Sequence, residues 1–251
     1  MPSTDSFRTI HFDIISLFPE MFEGPFQESI LDRAREEGLL NVRLHNLRDY
    51  TLNKHGKVDD TPFGGGAGLV MNIEPIDRAL QSVKKDRPYA HTVILAPSGK
   101  RFDQKKAREL SEKEQIILIC GRYEGIDERV AENLVDEELS IGDFVLSGGE
   151  IAAMVLVDAV TRLIPGVVGD PASLDEESFE NGMLEYPQYT RPRDYHGSEV
   201  PEVLVSGDHK KIKSWQRKAA LKKTARNRPD LIENLNLSAE ERAMIEETDD
   251  E

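Results

Sequence analysis

Ile116-Ile117-Leu118-Ile119-Cys120-Gly121-Arg122-Tyr123-Glu124-Gly125-Ile126-Asp127 decides the fold class. Five consecutive apolar residues without polar alternation read as a strand buried on both faces, the kind that fills the middle of a parallel sheet. The run stops at a glycine, a polar turn follows, and Asp127 opens a helical pattern to Leu134. The same order of strand, loop and helix recurs on either side. Upstream, Ile10, Phe12, Ile14, Ile15 and Leu17 predict a strand within Phe7 to Leu17, and Pro19 opens an amphipathic helix through Phe22, Phe26, Ile30, Leu31 and Ala34. Val42 to Leu47 reads as a second strand, and a long irregular stretch containing Gly64-Gly65-Gly66-Ala67-Gly68 runs on to Met71. Glu74 and Pro75 start a helix to Val83, His91 to Leu95 is a strand, and Asp103 to Leu110 is a helix. Downstream, a short strand near Leu139 to Ile141 precedes a helix from Glu150 to Leu163. Alternating β and α elements predict an α/β domain on a mostly parallel sheet.

The chain has 251 residues, 38% hydrophobic and 31% charged, enough for one large or two modest globular domains. No stretch approaches the roughly 18 apolar residues of a membrane span. Met1 to Phe7 carries Pro, Ser, Thr and Asp in place of a basic then apolar leader, so the expected compartment is the cytoplasm, with no membrane partner. Cys120 is the only cysteine, which excludes a disulfide within the chain, and its apolar neighbours predict a buried structural thiol. The formal net charge of −15 argues against a polyanionic partner. Its distribution argues the reverse: residues 209–228 carry nine Lys and Arg and no acid, whereas 229–251 carry nine acids and one Arg. Read as one helix with Ile212, Trp215, Ala219 and Leu221 or Lys222 near one face, the basic island is either a solvated surface or a phosphate-binding one. Trp215 is expected to anchor a core. Pro165 to Gly207 is rich in Asp, Glu, Ser, Gly and Pro and reads as a linker; the stretch from 208 reads as a small helical domain with an acidic tail.

Common site signatures are missing. The glycines at 64–68 do not satisfy G-x-G-x-x-G, and Gly99-Lys100 lacks the rest of a P-loop. Six histidines show no H-E-x-x-H spacing and no cysteine pair exists, so no metal site is expected; no G-x-S-x-G elbow appears. Three loops instead follow predicted strands: Ala96-Pro97-Ser98-Gly99, Gly121 to Asp127, and Ile141-Gly142-Asp143-Phe144-Val145-Leu146-Ser147-Gly148-Gly149-Glu150. In an α/β sheet such loops converge at the carboxyl ends of the strands, where ligands bind. Their glycines permit close backbone approach to a purine edge. Each loop alone is a tight turn; three together, holding Glu124, Asp127 and Asp143, favour a site.

At this level the residues resemble a known family. Ile15-Ser16-Leu17-Phe18-Pro19-Glu20-Met21-Phe22, Val58-Asp59-Asp60-Thr61-Pro62-Phe63-Gly64-Gly65-Gly66, Cys120 through Arg129, Ser140 through Glu150 and Tyr189-Thr190-Arg191-Pro192 are similar, in order, to the bacterial tRNA (guanine-N1)-methyltransferases, the TrmD family. The resemblance runs from Phe12 to Leu235. It implies a SPOUT-type α/β parallel sheet with a deep C-terminal trefoil knot, where general rules expect an unknotted sheet, plus a small all-helical C-terminal domain. The implied division is 1–164 for the methyltransferase domain, 165–207 for an interdomain linker that is disordered without tRNA, and 208–251 for a helical tRNA-binding domain. The implied partners are tRNA and a second copy, with the active site at the interface of a homodimer.

Carried over residue by residue, the resemblance places an S-adenosyl-L-methionine pocket on Leu95, Gly121, Tyr123, Ile141, Gly142, Asp143, Phe144, Val145, Leu146, Gly148 and Gly149. Phe144 stands where the family commonly has Tyr. Arg162 matches the catalytic arginine, and Glu124, a third catalytic position, helps hold the methionine end and that arginine. Glu177 stands where the family has an aspartate as general base, with Asp175 and Glu176 one or two residues away. Guanine N1 must lose its proton as the methyl arrives, so a carboxylate in reach is a chemical requirement, and a guanidinium stabilises the charge that builds on O6. The implied reaction is direct in-line transfer to N1 of the guanosine 3′ to the anticodon, with no covalent enzyme intermediate. Family members use Mg²⁺ in this step. The implied phosphate contacts are Arg191, Arg193, Lys210, Lys211, Lys213, Arg217, Lys218, Lys222 and Lys223. A noncatalytic RNA-binding protein on the same scaffold, or a SPOUT enzyme with another RNA target, are the competing readings.

Overall fold

The computed structural model describes residues 8–170 and 172–246, which fall into two compact units divided after Gly169. The start of the strand predicted from Phe7, the leader reading of Met1 to Phe7, Pro171 and the acidic tail from 247 onward lie outside the described residues.

In the first unit the order is β1 (Ile10–Ser16), α1 (Ser29–Glu36), β2 (Leu40–Asn46), β3 (Asp59–Asp60), β4 (Val70–Met71), α2 (Ile73–Asp86), β5 (His91–Arg101), α3 (Gln104–Ser111), β6 (Gln115–Cys120), α4 (Glu128–Asn133), β7 (Glu137–Ser140) and α5 (Glu150–Thr161). The main sheet has the order β2-β1-β6-β5-β7, and every pairing in it is parallel. The two apolar runs predicted as strands, β1 and β6, lie side by side in its interior, and Ile116 to Cys120 are fully buried. Alternate residues feed two layers. Ile15, Ile117 and Ile119 pack with Ile76, Ala79, Leu80 and Val83 of α2, while α5 lies against β1 and β6 beside α3. Each fully buried aliphatic side chain contributes about 1.5–3 kcal/mol. Asp13 is a charge buried beside them: its carboxylate accepts from Arg43 Nε at 2.9 Å, contacts His45 Nε2 at 2.7 Å and pairs with Arg87 Nε at 2.8 Å, tying β1 to β2 and to the end of α2. Burial pushes its pKa up, but the bonds from His45 and Arg43 and the two arginine charges outweigh that and hold it below the usual carboxylate range.

Several predicted elements are corrected. The helix expected from Pro19 is broken into two 3-10 turns, Pro19–Phe22 and Pro25–Gln27, before α1 begins at Ser29. Pro25 has no amide hydrogen to continue a helical ladder, although Phe22 and Phe26 still stack with ring centroids 5.6 Å apart. The Ala96–Gly99 segment, read as a loop, lies inside β5: Leu95 and Lys100 both stand opposite Leu139, so the residues between them form a bulge and the strand resumes. Pro97, which cannot donate to a ladder, sits in that bulge. The irregular stretch before Met71 closes as a short antiparallel hairpin, with Asp59 opposite Met71 and Asp60 opposite Val70. The last helix of the unit stops at Thr161, leaving Arg162 as its C-cap.

The second unit holds α6 (Ala172–Asp175), β8 (Asp194–Tyr195), β9 (Ser198–Glu199), α7 (Glu202–Val205), α8 (His209–Asn227), α9 (Pro229–Ile232) and α10 (Ala239–Glu246). The basic island forms the predicted helix, but its buried face is Ala220, Leu221 and Thr224, joined by Met183 and Leu237. Met183 therefore belongs to a core although it lies in the stretch read as linker. Trp215 is only half-buried and leans on Tyr189 at 6.2 Å between ring centroids. Asp208 caps α8 by accepting from the amides of Lys210 and Lys211. No acid follows in the first turn, and two lysines beside the positive end of a helix dipole add nothing to helix stability.

Candidate active site

The bulge inside β5 and the segments that follow β6 and β7 open into one cavity of about 460 Å³. From β5 come Leu95 and the bulge residues Ala96, Pro97 and Ser98. From β6 come Gly121, Arg122, Tyr123 and Glu124, and from β7 come Ile141, Gly142, Phe144, Val145, Leu146, Gly148 and Gly149. Ten of the eleven residues assigned to the donor pocket thus line one cavity; Asp143 is exposed and does not line it. The floor is apolar, with Ile94, Leu95 and Leu139 at the strand ends.

Close backbone approach explains the glycines at the cavity's edge. Gly149 donates its amide to the Gly121 carbonyl at 2.9 Å, and a Cβ on Gly149 would lie 2.8 Å from Cys120 Cα. A Cβ on Gly148 would run into the Arg122 guanidinium. Two loops are thereby pressed together with no side chain between them. Tyr123 takes a left-handed conformation, with φ +62°. Its phenol is pushed above the usual range by burial, then by its bond to Asp59 and that residue's charge.

Of the ionisable residues on these loops, Asp127 is a helix cap: it accepts from the Arg129 amide and pairs with the Arg129 guanidinium at 2.6 Å. That bond is the main reason its carboxyl lies below the ordinary range. Glu124 is exposed at the cavity, its amide donating to the Leu69 carbonyl at 3.0 Å. Cys120 is fully buried, and burial followed by the Glu150 charge pushes its thiol well up, so it stays protonated and is no nucleophile.

Sequence reasoning missed the strongest electrostatic feature here. Arg122 Nη2 pairs with Glu150 Oε2 at 2.9 Å, and Glu150 is fully buried. Ser16 Oγ donates to Glu150 Oε1 at 2.7 Å, Arg122 Nη1 donates to the Ser147 carbonyl at 3.1 Å, and the guanidinium stacks 4.5 Å from the Phe18 ring centroid. All five residues stand in the quoted motifs. A glutamate at the start of an otherwise apolar helix was the available signal.

The remaining assigned residues lie elsewhere. Arg162 is half-buried at the end of α5, its amide donating to Asp158 O at 3.1 Å. Glu177 lies in the second unit in a turn that follows α6 and is half-buried. Beside it, Glu176 accepts from the Tyr186 hydroxyl at 3.1 Å, and Asp175 offers its carbonyl to Asn181 at 2.8 Å. Arg191, Arg193, Lys210, Lys211 and Lys213 are exposed, whereas Lys218, Lys222 and Lys223 are half-buried. Arg193 and Lys211 line one shallow cleft with Ser206 and Val205. Arg217 is engaged inside its own unit: it reaches Glu241 Oε1 through Nε at 2.9 Å and Nη2 at 2.6 Å, fastening α10 to α8. Among the described residues no three His, Cys, Asp or Glu side chains gather as a metal site, and no helix is long and apolar enough to cross a membrane.

Comparison with known proteins gives one answer. A family model described as "tRNA (Guanine-1)-methyltransferase TrmD" matches residues 10–234. A tRNA (guanine-N(1)-)-methyltransferase of Dictyoglomus turgidum is 56% identical over 238 residues, covering 95% of this chain and 96% of that protein. The protein of the same name from Geobacter metallireducens is 52% identical, with 95% and 98% covered, and that from Carboxydothermus hydrogenoformans is 54% identical, with 93% and 91% covered. With near-complete coverage in both directions and a parallel sheet that gathers the motif loops at one end, the chain belongs to the tRNA (guanine-1)-methyltransferase TrmD family.

Proposed function

We propose that this protein transfers a methyl group from S-adenosyl-L-methionine to N1 of guanosine-37, 3′ to the anticodon of tRNA, as a cytoplasmic homodimer. The observation that carries the reading is the convergence of nine motif residues and Leu95 on one cavity in a chain of this family. The cavity suits the donor: its volume is in the range of small-molecule sites, its strand ends offer an apolar floor for a purine, and Gly121, Gly148 and Gly149 leave backbone accessible. The donor supplies an electrophilic methyl on a sulfonium. Glu124 is the carboxylate available to its ammonium end. Glu177 takes the N1 proton, and Arg162 offsets the negative charge that grows on O6 as that proton leaves. Protonated Cys120 leaves no thiolate for a covalent route. Mg²⁺, which the family uses in this step, is proposed as a further participant, with no side chain assigned to hold it.

The family's knot is proposed for the segment running through Gly142 to Glu150 and α5. Support for a homodimer comes from exposed apolar side chains on two elements that pack together: Ile151 and Val155 on α5, and Met21 on the Pro19–Phe22 turn with Phe18 just before it. The division into 1–164, 165–207 and 208–251, with the last part binding tRNA, is proposed with it. Retention of a carboxylate at Glu177 and the names of the relatives favour catalysis over an RNA-binding protein without activity, and guanine N1 over another RNA target.

Incubation with S-adenosyl-L-methionine and a tRNA transcript carrying G37, followed by nucleoside mass spectrometry, should yield 1-methylguanosine. A ribose-methylated product, or no methylated nucleoside, would overturn the reading. A second expectation concerns α8. Changing Lys210, Lys211 and Lys213 together to Ala should weaken tRNA binding and flatten the slope of log K against log salt by about 0.7–0.9 for each phosphate that is no longer neutralised. Affinity for S-adenosyl-L-methionine should not move. An unchanged slope would remove this helix from the RNA surface.

A further inference from the structure

Phe63 is the most exposed large apolar side chain among the described residues, with a relative accessibility of 103%. Single exposed apolar residues are ordinary; the backbone that carries this one is not. Gly65 N donates to Pro62 O at 3.2 Å and Gly64 has φ +86°, so Pro62–Gly65 is a turn with Phe63 at its first corner and glycine at the second, as a type II turn requires. Corner positions project outward. Gly65, Gly66 and Gly68 also have positive φ, so the tip is built from conformations that other residues resist.

The two ends of the loop are held to one another, and its end is clamped to the segment that lines the cavity. At its start, Asp59 stands opposite Met71 in the short hairpin and Asn72 N donates to Val58 O at 2.8 Å. At its end, Gly68 lies against the Glu124 side chain so closely that a Cβ would collide, and the Leu69 carbonyl accepts from Glu124 N. Met71 N then donates to Gly125 O at 2.9 Å, and Asp127 N donates to Met71 O at 3.0 Å. Phe63 is therefore held within five residues of Gly68, which touches Glu124, at most about 17 Å along the chain. In the stretch before it Arg48 and Lys54 are exposed, while Lys57 pairs with Asp60 at 3.0 Å.

We infer that Phe63 is a stacking platform for an unstacked base of the tRNA anticodon loop, at or beside the target guanine. The inference rests on the proposed methyl transfer to tRNA. A base that undergoes chemistry leaves its stack, and the face it loses is replaced by protein. Arg162 and Glu177 are assigned to the edge of the guanine, which leaves a π-face to be covered. The phenyl ring supplies that contact without reading sequence.

The test uses the full-length protein with Phe63→Ala and Phe63→Trp. Phe63→Ala should raise the KM and Kd for tRNA about tenfold or more, and Phe63→Trp should restore both to within about threefold of wild type. Thermal unfolding, sedimentation and donor affinity should stay unchanged, because among the described residues the side chain is fully exposed. With 2-aminopurine at the target or at either flanking position of the transcript, wild type should quench the fluorescence at one position and Phe63→Ala should not. Equal tRNA binding by Phe63→Ala, or no position whose quenching depends on residue 63, would overturn the inference. A shifted oligomeric state in Phe63→Ala would overturn it too, by placing the ring in a subunit contact. Wild type that makes no 1-methylguanosine would instead sink the methyl-transfer reading beneath it.

Discussion

Glu177→Gln is expected to lower kcat for methyl transfer by about 10²–10⁴-fold, the contribution of a positioned general base, with tRNA and S-adenosyl-L-methionine affinities near wild type. Glutamine keeps the shape and hydrogen-bonding edge of the glutamate but holds no proton at this step, so the loss reads the base and not the fold. Glu177→Asp, which restores the residue the family uses, should keep at least a tenth of wild-type kcat; the side chain is shorter by one methylene in a turn between α6 and the stretch from Asn181, with no regular element to hold it rigid. Arg162→Ala should cost about 10²–10³-fold in kcat, as for loss of one oxyanion donor. Single-turnover kinetics with methyl-labelled donor separates this loss from product release. An unchanged kcat for Glu177→Gln would move the base elsewhere. Glu176 is then the weaker heir, since its carboxylate is already bonded by the Tyr186 hydroxyl, and Asp175 would be tested next.

How far the sequence carried the site follows from what kind of information each part needs. Strand β6 was legible because five apolar residues in succession have few other uses, β1 because Ile10, Phe12, Ile14 and Ile15 crowd one short stretch, and the loops after β6 and β7 because glycine clusters mark backbone that must come close to something. The bulge at Ala96–Gly99 was not legible: Pro97 and Gly99 signal a break, and only pairing with β7 shows that the strand resumes at Lys100. The helix after Pro19 failed for a local reason, because Phe22, Phe26 and Ile30 keep a helical spacing while Pro25 denies the ladder. Arg217 shows the limit of charge counting. Its island of cations suggests phosphate, yet its own guanidinium is committed to Glu241, which only the packing of α10 on α8 reveals. Arg122 and Glu150 were in plain view in the motifs, but 28 residues apart, and the contact between them depends on two loops meeting at Gly149 and Gly121.

That pair carries the largest expected effect on stability. Glu150→Ala removes the buried partner of a guanidinium that is itself only 15% exposed, and breaking one side of such a pair costs about 3–5 kcal/mol. For a unit of this size the melting temperature should fall by about 6–20 °C. Arg122→Ala should cost a similar amount, because it strands a carboxylate whose remaining bond is the one from Ser16. If the ion pair is the cause, the two losses will not add: in the double variant the second substitution should cost less than about 1 kcal/mol, since no uncompensated charge remains. Donor binding should behave differently. Arg122 also donates to the Ser147 carbonyl and packs under Gly148, so it fixes the rim of the cavity from below. Arg122→Met combined with Glu150→Leu should therefore recover most of the stability by filling the space with apolar atoms, yet leave S-adenosyl-L-methionine binding weakened. Calorimetry and donor titration on the two single variants and the two double variants measure both. Additive losses in stability would show two independent contacts, and full donor affinity in the apolar double variant would show that the ion pair holds the fold without shaping the cavity.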